Sequence, residues 1–392
     1  MIKYSFLFDK LPEYPFARIG KLVKEIEEKE GIKVINARIG IPDREAPKVI
    51  KELMAKFILQ EKSTYGYPID VYPERGIPEL IEAIIEDYRK KYGRGLKLRA
   101  ENIAITNWSK EVLHNLVRLF APGNILIPEP IYPAYVGATI LSNHKIKYVP
   151  TFQDYNWLPN FEFKRGDVAF YFCDPNNPTG SVANEKFYFE LLEKMKKKRI
   201  AGIFDKAYKD YIFEKSTLPI SITQIPELMN YGFEVVSFSK HYNFVGIGIG
   251  FIVSSKENIE RWLKFAGHFS QGVEWYKQKV AVEALKNPEV KNEIKKYFDE
   301  LRERQEIFVK GLNELGLNSP LPKATPYLWV KVPQGYDDEE FVLGKMLPKA
   351  HVAFMPGSYF GKSGKGFLRA TLFLSKEDIK EALKRIKNVK DW

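Results

Sequence analysis

The sequence predicts an α/β fold: a large domain built on a mostly parallel seven-stranded sheet between layers of helices, joined to a smaller α+β domain. Three observations predict it. Seven short apolar runs succeed one another through the middle of the chain, and segments of helical periodicity separate most of them. The runs are continuously apolar, the mark of strands covered on both faces. From about residue 256 the pattern changes to long helices followed by three strand-like runs.

In chain order, the N-terminal segment precedes the first strong helix and is assigned to the smaller domain. Ile77, Leu80, Ile81, Ile84, Ile85 and Tyr88 then fall on one face of a helix that Gly93 would cap. The expected strands are IAIT (103–106), ILIPEP (125–130), KIKYVP (145–150), VAFYFC (168–173), IAGIFD (200–205), EVVSFS (234–239) and GFIV (250–253). They place a large domain at residues 45–275. A long helix over 290–315 follows, and PYLWVKVP, VAFMPG and GFLRATLFL read as strands of a second sheet. Residues 276–392, with 1–44, would form the smaller domain. A ligand is expected between the two, beyond the carboxyl ends of the parallel strands.

Composition excludes several classes. Of 392 residues, 45% are hydrophobic and 28% charged, as in a soluble globular protein without low-complexity tracts. No run approaches a membrane span, and the N-terminus lacks a secretory pattern, so a cytoplasmic protein is expected. The net charge of +11 raises the possibility of nucleic acid, but the lysines interleave with glutamates on helix faces, as in VKNEIKKYFDELRERQE. The single cysteine, Cys173, ends an apolar run and reads as packing. The five histidines show no metal-ligand spacing, so no metal is expected.

Chemistry gathers where the apolar runs end. CDPNNPTG follows VAFYFC, DKAY begins at Asp205, and Ser237 to Lys240 close EVVSFS. One sheet edge thus receives an amide, a carboxylate, a phenol, hydroxyls and an amine. A lysine amine that condenses with a carbonyl, opposite a carboxylate that holds a pyridine nitrogen protonated, is the signature of pyridoxal phosphate. The interval from Asp205 to Lys240, 240 − 205 = 35 residues, leaves room for one connection between adjacent strands.

At this point the sequence resembles the fold-type I pyridoxal-phosphate enzymes of the class I/II aminotransferases. ARIGIPD (37–43), YPERGIPELIEAI (72–84), SKEVLHNL (109–116), PGNILIPEPIYPAY (122–135), NNPTG (176–180), DKAY (205–208), SFSK (237–240), MPGSYFG (355–361) and FLRATL (367–372) occur in that family's order. LPEYPFARI (11–19) and the stretch 109–135 look most like LL-diaminopimelate aminotransferases and their relatives. The resemblance implies that Lys240 binds the cofactor covalently and then carries the proton. It implies that Asp205 pairs with the pyridinium, that Asn177 and Tyr208 bond the ring oxygen, and that Tyr132 stacks on the ring. Ser109 and Ser237 would hold the phosphate, with Tyr72 reaching the site of a neighbouring subunit; Tyr65 or Tyr67 are alternatives for that role. Arg369 would grip the substrate α-carboxylate, near Gly40, and Lys110 a distal carboxylate. The partners implied are an amino acid, a 2-oxo acid and a second copy in a homodimer.

Two positions depart from the family. Trp108 stands where relatives have a small residue, and Gly248 where they have an arginine eight residues after the lysine. Trp108 is expected to fill the room at Gly248 and point its indole N–H at the phosphate; the rival expectation is a weakened phosphate cup. A lyase of the same fold and a non-catalytic descendant remain as alternatives.

Overall fold

The computed structural model describes residues 2–60, 75–214 and 217–392. Tyr65, Tyr67 and Tyr72 lie outside the described residues. The central sheet has seven strands: β1 (Ile103–Thr106), β2 (Asn124–Glu129), β3 (Lys145–Pro150), β4 (Asp167–Cys173), β5 (Ala201–Asp205), β6 (Gly232–Ser237) and β7 (Gly250–Val253). Their order across the sheet is β1-β7-β6-β5-β4-β2-β3, and β7 alone runs against its neighbours β1 and β6.

Most of the apolar runs form strands here because they can be buried on both faces; β3, at the edge of the sheet, buries only Val149. Every residue of β1, β6 and β7 is buried. Around β4 and β5, Phe161, Phe170, Phe172, Phe204 and Tyr188 interlock at ring distances of 4.5–6.4 Å. Such aromatic payloads are the largest apolar contributions a core can receive.

A second, antiparallel sheet of three strands follows: β8 (Tyr327–Lys331), β9 (Met355–Pro356) and β10 (Phe367–Thr371), in the order β9-β10-β8. VAFMPG, expected as one strand, is split. Val352–Ala353 pairs in parallel with Ile35–Asn36, whereas Met355–Pro356 joins β10. The N-terminal helix Pro15–Glu30 contributes Ile19 and Val23 to an apolar cluster with Trp329, Leu347, Met355 and Phe360. The N-terminal segment is thus packed against the second sheet. Among the described residues no helix is long and apolar enough to cross a membrane.

The shared direction of six strands decides where chemistry can gather. Thr106, Cys173, Asp205 and Ser237 end β1, β4, β5 and β6 on one sheet edge, with Cys173 and Asp205 directly paired across β4 and β5.

Candidate active site

A cavity of about 450 Å³ opens at that edge. Lys240, Asp205, Asn177, Tyr208, Arg369, Tyr132, Trp108, Ser109, Lys110, Ser237 and Gly40 all line it. The volume falls within the range of pockets that enclose small ligands.

Lys240 reaches the cavity because β6 stops at Ser237, whose hydroxyl accepts from Ser239 N–H at 3.2 Å and turns the chain into the short helix Phe238–His241. Tyr211 donates to the Lys240 carbonyl at 2.8 Å and fixes that turn. The Lys240 ammonium donates to the Gly40 carbonyl at 2.7 Å. Desolvation, with a further push from Arg369, lowers its pKa to about 8 against a weaker pull from Asp205.

Asp205 is buried at the end of β5. Tyr135 donates to one of its oxygens at 2.6 Å and the Ala207 N–H to the other at 3.0 Å. Burial raises the carboxyl above its ordinary range even so, with the two hydrogen bonds and the charges of Lys240 and Lys206 acting the other way. An added cation at this carboxylate would restore its charged form. Tyr135 stands firm because its ring stacks on Tyr171, 4.2 Å between centroids.

The loop after β4 carries Asn177. Its anchor is Asp174, buried, which receives Lys206 at 2.7 Å, Tyr188 at 2.6 Å and the Ala183 N–H at 3.0 Å. Asn177 accepts from Arg369 Nη1 at 2.8 Å, and Arg369 Nη2 donates to the Arg38 carbonyl at 2.8 Å. The oxygen of Asn177 is therefore occupied and its amide nitrogen is left to serve the cavity. The Arg369 guanidinium sits 4.2 Å from the Tyr327 ring centroid, 4.8 Å from that of Phe360 and 5.3 Å from that of Phe16. Its Nε is buried without a partner among the described residues, and burial lowers its pKa. A buried cation in this state calls for an anion.

Tyr208 bonds the Tyr327 hydroxyl at 2.6 Å, and burial holds its phenol far above the ordinary range. Tyr132 faces the Tyr14 hydroxyl at 3.3 Å and stands edge-on to Tyr135. Gly40 has no room for a side chain: a Cβ there would lie 2.2 Å from the Tyr327 hydroxyl oxygen. Lys110 is exposed, its ammonium 4.7 Å from the Tyr14 ring centroid. Cys173 is buried and its thiol is pushed well up by burial, which leaves it protonated.

Trp108 does occupy the room at Gly248. A Cβ at Gly248 would lie 2.0 Å from the indole Cε2, and the backbone there is left-handed, φ +66°. The indole N–H, expected at the phosphate, instead donates to the Val245 carbonyl at 3.3 Å. Gly248→Arg is therefore expected to destabilise the fold by about 1–3 kcal/mol, through left-handed strain and displacement of Trp108. Thermal unfolding checks it, and Trp108→Ser in the same chain should recover part of the loss.

Four contributors were missed from sequence: Tyr135, Tyr327, Arg38 and Lys206. Three of them lie inside recognisable motifs: Arg38 in ARIGIPD, Tyr135 at the end of PGNILIPEPIYPAY and Lys206 in DKAY. Tyr327 begins an apolar strand and looked like core.

Pyridoxal phosphate, implied by the resemblance, suits this donor set. The helix Ser109–Leu116 starts at Trp108 without any side-chain cap, so its first N–H groups are available to a phosphate, beside the hydroxyls of Ser109 and Ser237. Asp205 meets the need of a pyridinium, the Asn177 amide and Tyr208 phenol that of a ring oxygen, and Lys240 that of an aldehyde.

The comparisons with known proteins agree with this geometry. The family described as aminotransferase class I and II matches residues 32–386. The LL-diaminopimelate aminotransferase of Halothermothrix orenii is 34% identical over 384 residues, 96% of each chain. That of Aquifex aeolicus is 32% identical over the full length of both chains. The solved alanine aminotransferase of Pyrococcus furiosus superposes with a TM-score of 0.87 at 27% identity, covering 99% of this chain and 100% of its own.

Proposed function

The chain belongs to the class I and II aminotransferases, and within that family we propose that it exchanges an amino group between glutamate or 2-oxoglutarate and a diaminopimelate-type or aspartate-type substrate. As a member it is a pyridoxal-phosphate-dependent aminotransferase acting on an amino acid and a 2-oxo acid. The cofactor, when bound, supplies an electron sink for negative charge at the substrate α-carbon.

The residues divide the remaining work. Arg369 orients the substrate by its α-carboxylate, using the guanidinium edge that Asn177 and the Arg38 carbonyl leave free. Lys240, with a pKa of about 8, changes protonation near neutral pH and is suited to carry the proton at the α-carbon. Asp205 would hold the ring nitrogen of the cofactor in its charged form, and Asn177 and Tyr208 would hold the ring oxygen. Tyr132 would lie against the ring, and Ser109, Ser237 and the helix start at Trp108 would receive the phosphate. Lys110, at the mouth of the cavity, takes the distal carboxylate. The observation that carries this reading is the convergence of Lys240, Asp205, Asn177, Tyr208 and Arg369 on one cavity.

Tyr72, or Tyr65 or Tyr67, completes a neighbour's phosphate site in a cytoplasmic homodimer. The division into 45–275 and 1–44 with 276–392 belongs to the same reading, supported by the packing of the N-terminal helix on the second sheet.

The substrate choice is tested by offering LL-diaminopimelate, aspartate and alanine as donors to 2-oxoglutarate. The diaminopimelate or aspartate rate, as kcat/KM, is expected to exceed the alanine rate by at least about tenfold. Equal rates would remove the dicarboxylate reading while leaving amino transfer intact.

A further inference from the structure

The hydroxyls of Tyr208 and Tyr327 lie 2.6 Å apart, and both residues are buried. They come from different sheets. Tyr208 follows β5 of the central sheet, whereas Tyr327 opens β8 of the second. Tyr327 also touches the N-terminal segment at Gly40, whose carbonyl holds the Lys240 ammonium. The Arg369 guanidinium stands over its ring. One phenol thus meets the substrate-binding arginine, the lysine's anchor and the phenol beside the cofactor site.

Hydrogen-bond accounting fixes the direction of the phenol pair. Each hydroxyl has one proton to donate. On the reading above, which this inference rests on, the Tyr208 proton is required at the cofactor's ring oxygen. The bond between the phenols must then use the Tyr327 proton, with the Tyr208 oxygen accepting. We propose that Tyr327 is a positioning residue of the reaction: its hydroxyl donates to Tyr208, and so aims and strengthens the Tyr208 bond to the ring oxygen. Chained hydrogen bonds polarise one another in this way. The position of Gly40 follows as well, because any side chain there would displace the Tyr327 hydroxyl.

The charged and titratable groups facing the pair include Arg369 from β10, Cys173 from β4, Tyr14 from the N-terminal segment, Tyr132 from the loop after β2 and Tyr211 from the loop after β5. Those facing Lys240 are Arg369 and Asp205. Arg369 favours the polarised form of both phenols.

The test is a pH titration of the holoenzyme's visible absorbance, whose midpoint reports the proton held at the Lys240 nitrogen beside the ring oxygen. A donor to that oxygen stabilises its negative charge once the proton has left, so it lowers the midpoint; loss of the donor raises it. Tyr208→Phe is expected to raise the midpoint by roughly one unit, and Tyr327→Phe by roughly half a unit. In the Tyr208→Phe background, Tyr327→Phe should add nothing, because its effect passes through the missing hydroxyl. Replacing Tyr327 with 3-fluorotyrosine, a stronger donor of nearly the same shape, should lower the midpoint, and it gives a reading even where Tyr327→Phe fails to fold. An unchanged midpoint in both Tyr327 variants overturns the proposal. So does a Tyr327→Phe shift of equal size with and without the Tyr208 hydroxyl. If Tyr208→Phe itself leaves the midpoint in place, the assigned role of Tyr208 fails, and the role of Tyr327 falls with it.

Discussion

Replacing Lys240 with alanine is expected to lower the rate of amino transfer by a factor of about 10⁴ or more, since the covalent anchor and the proton carrier are lost together. The variant should still fold, because the Lys240 side chain makes a single hydrogen bond, to the Gly40 carbonyl. Its thermal unfolding should therefore stay near that of the parent while borohydride no longer fixes cofactor to the chain. The amine also sets a pH dependence. Its pKa is about 8, below the ordinary 10.5, and only the neutral amine attacks an aldehyde. In the apoenzyme the neutral fraction grows as pH rises through about 8, so the rate of cofactor capture should rise with a midpoint there. A midpoint near 10.5 would mean that desolvation in the cavity does not act on Lys240 as described.

Replacing Arg369 with glutamine is expected to reduce kcat/KM for amino acids by about 10²–10³-fold, the scale of losing one partner of a buried, hydrogen-bonded ion pair. Cofactor absorbance should remain, since Lys240, Asp205, Tyr208, Ser109 and Ser237 are all left in the cavity. Arg369→Lys should not recover the activity. An ammonium cannot hold the Asn177 oxygen, the Arg38 carbonyl and a carboxylate in one plane, as the guanidinium does. Steady-state kinetics with a carboxylate donor and with an amine lacking the carboxylate separates the two effects: only the former should respond to the substitution.

Most of the sheet was legible because its strands, the edge strand β3 apart, are largely buried on both faces. VAFYFC at 168–173 became Asp167–Cys173, and ILIPEP at 125–130 became Asn124–Glu129. The reversal of β7 was not legible, since GFIV is as apolar as the parallel strands of the sheet and the direction is set by the turn through Phe244 to Gly248. EVVSFS was expected as a strand to 239, but Ser237 caps a helical turn that begins at Phe238. That one-turn break is what lifts Lys240 into the cavity.

The site was legible where chemistry follows a strand end: Asp205, Asn177, Tyr208 and Lys240 all do. It was illegible where a polar tip rides on a large apolar body. Tyr135 and Tyr327 sit in apolar runs, and nothing in the alternation tells a core phenol from one that bonds Asp205 or Tyr208. Trp108 shows the reverse case. The packing against Gly248 followed from volume, whereas the direction of its N–H depended on the Val245 carbonyl, a backbone group that no side-chain pattern reveals.

The most direct test of the central claim is a half-reaction. Glutamate added to the purified holoenzyme without an acceptor should convert the visible absorbance of the bound cofactor in a single turnover and release one equivalent of 2-oxoglutarate. Adding 2-oxoglutarate in excess should then restore the original spectrum. Release of ammonia, or a spectrum unchanged by glutamate, diaminopimelate, aspartate and alanine alike, would contradict an aminotransferase built on Lys240.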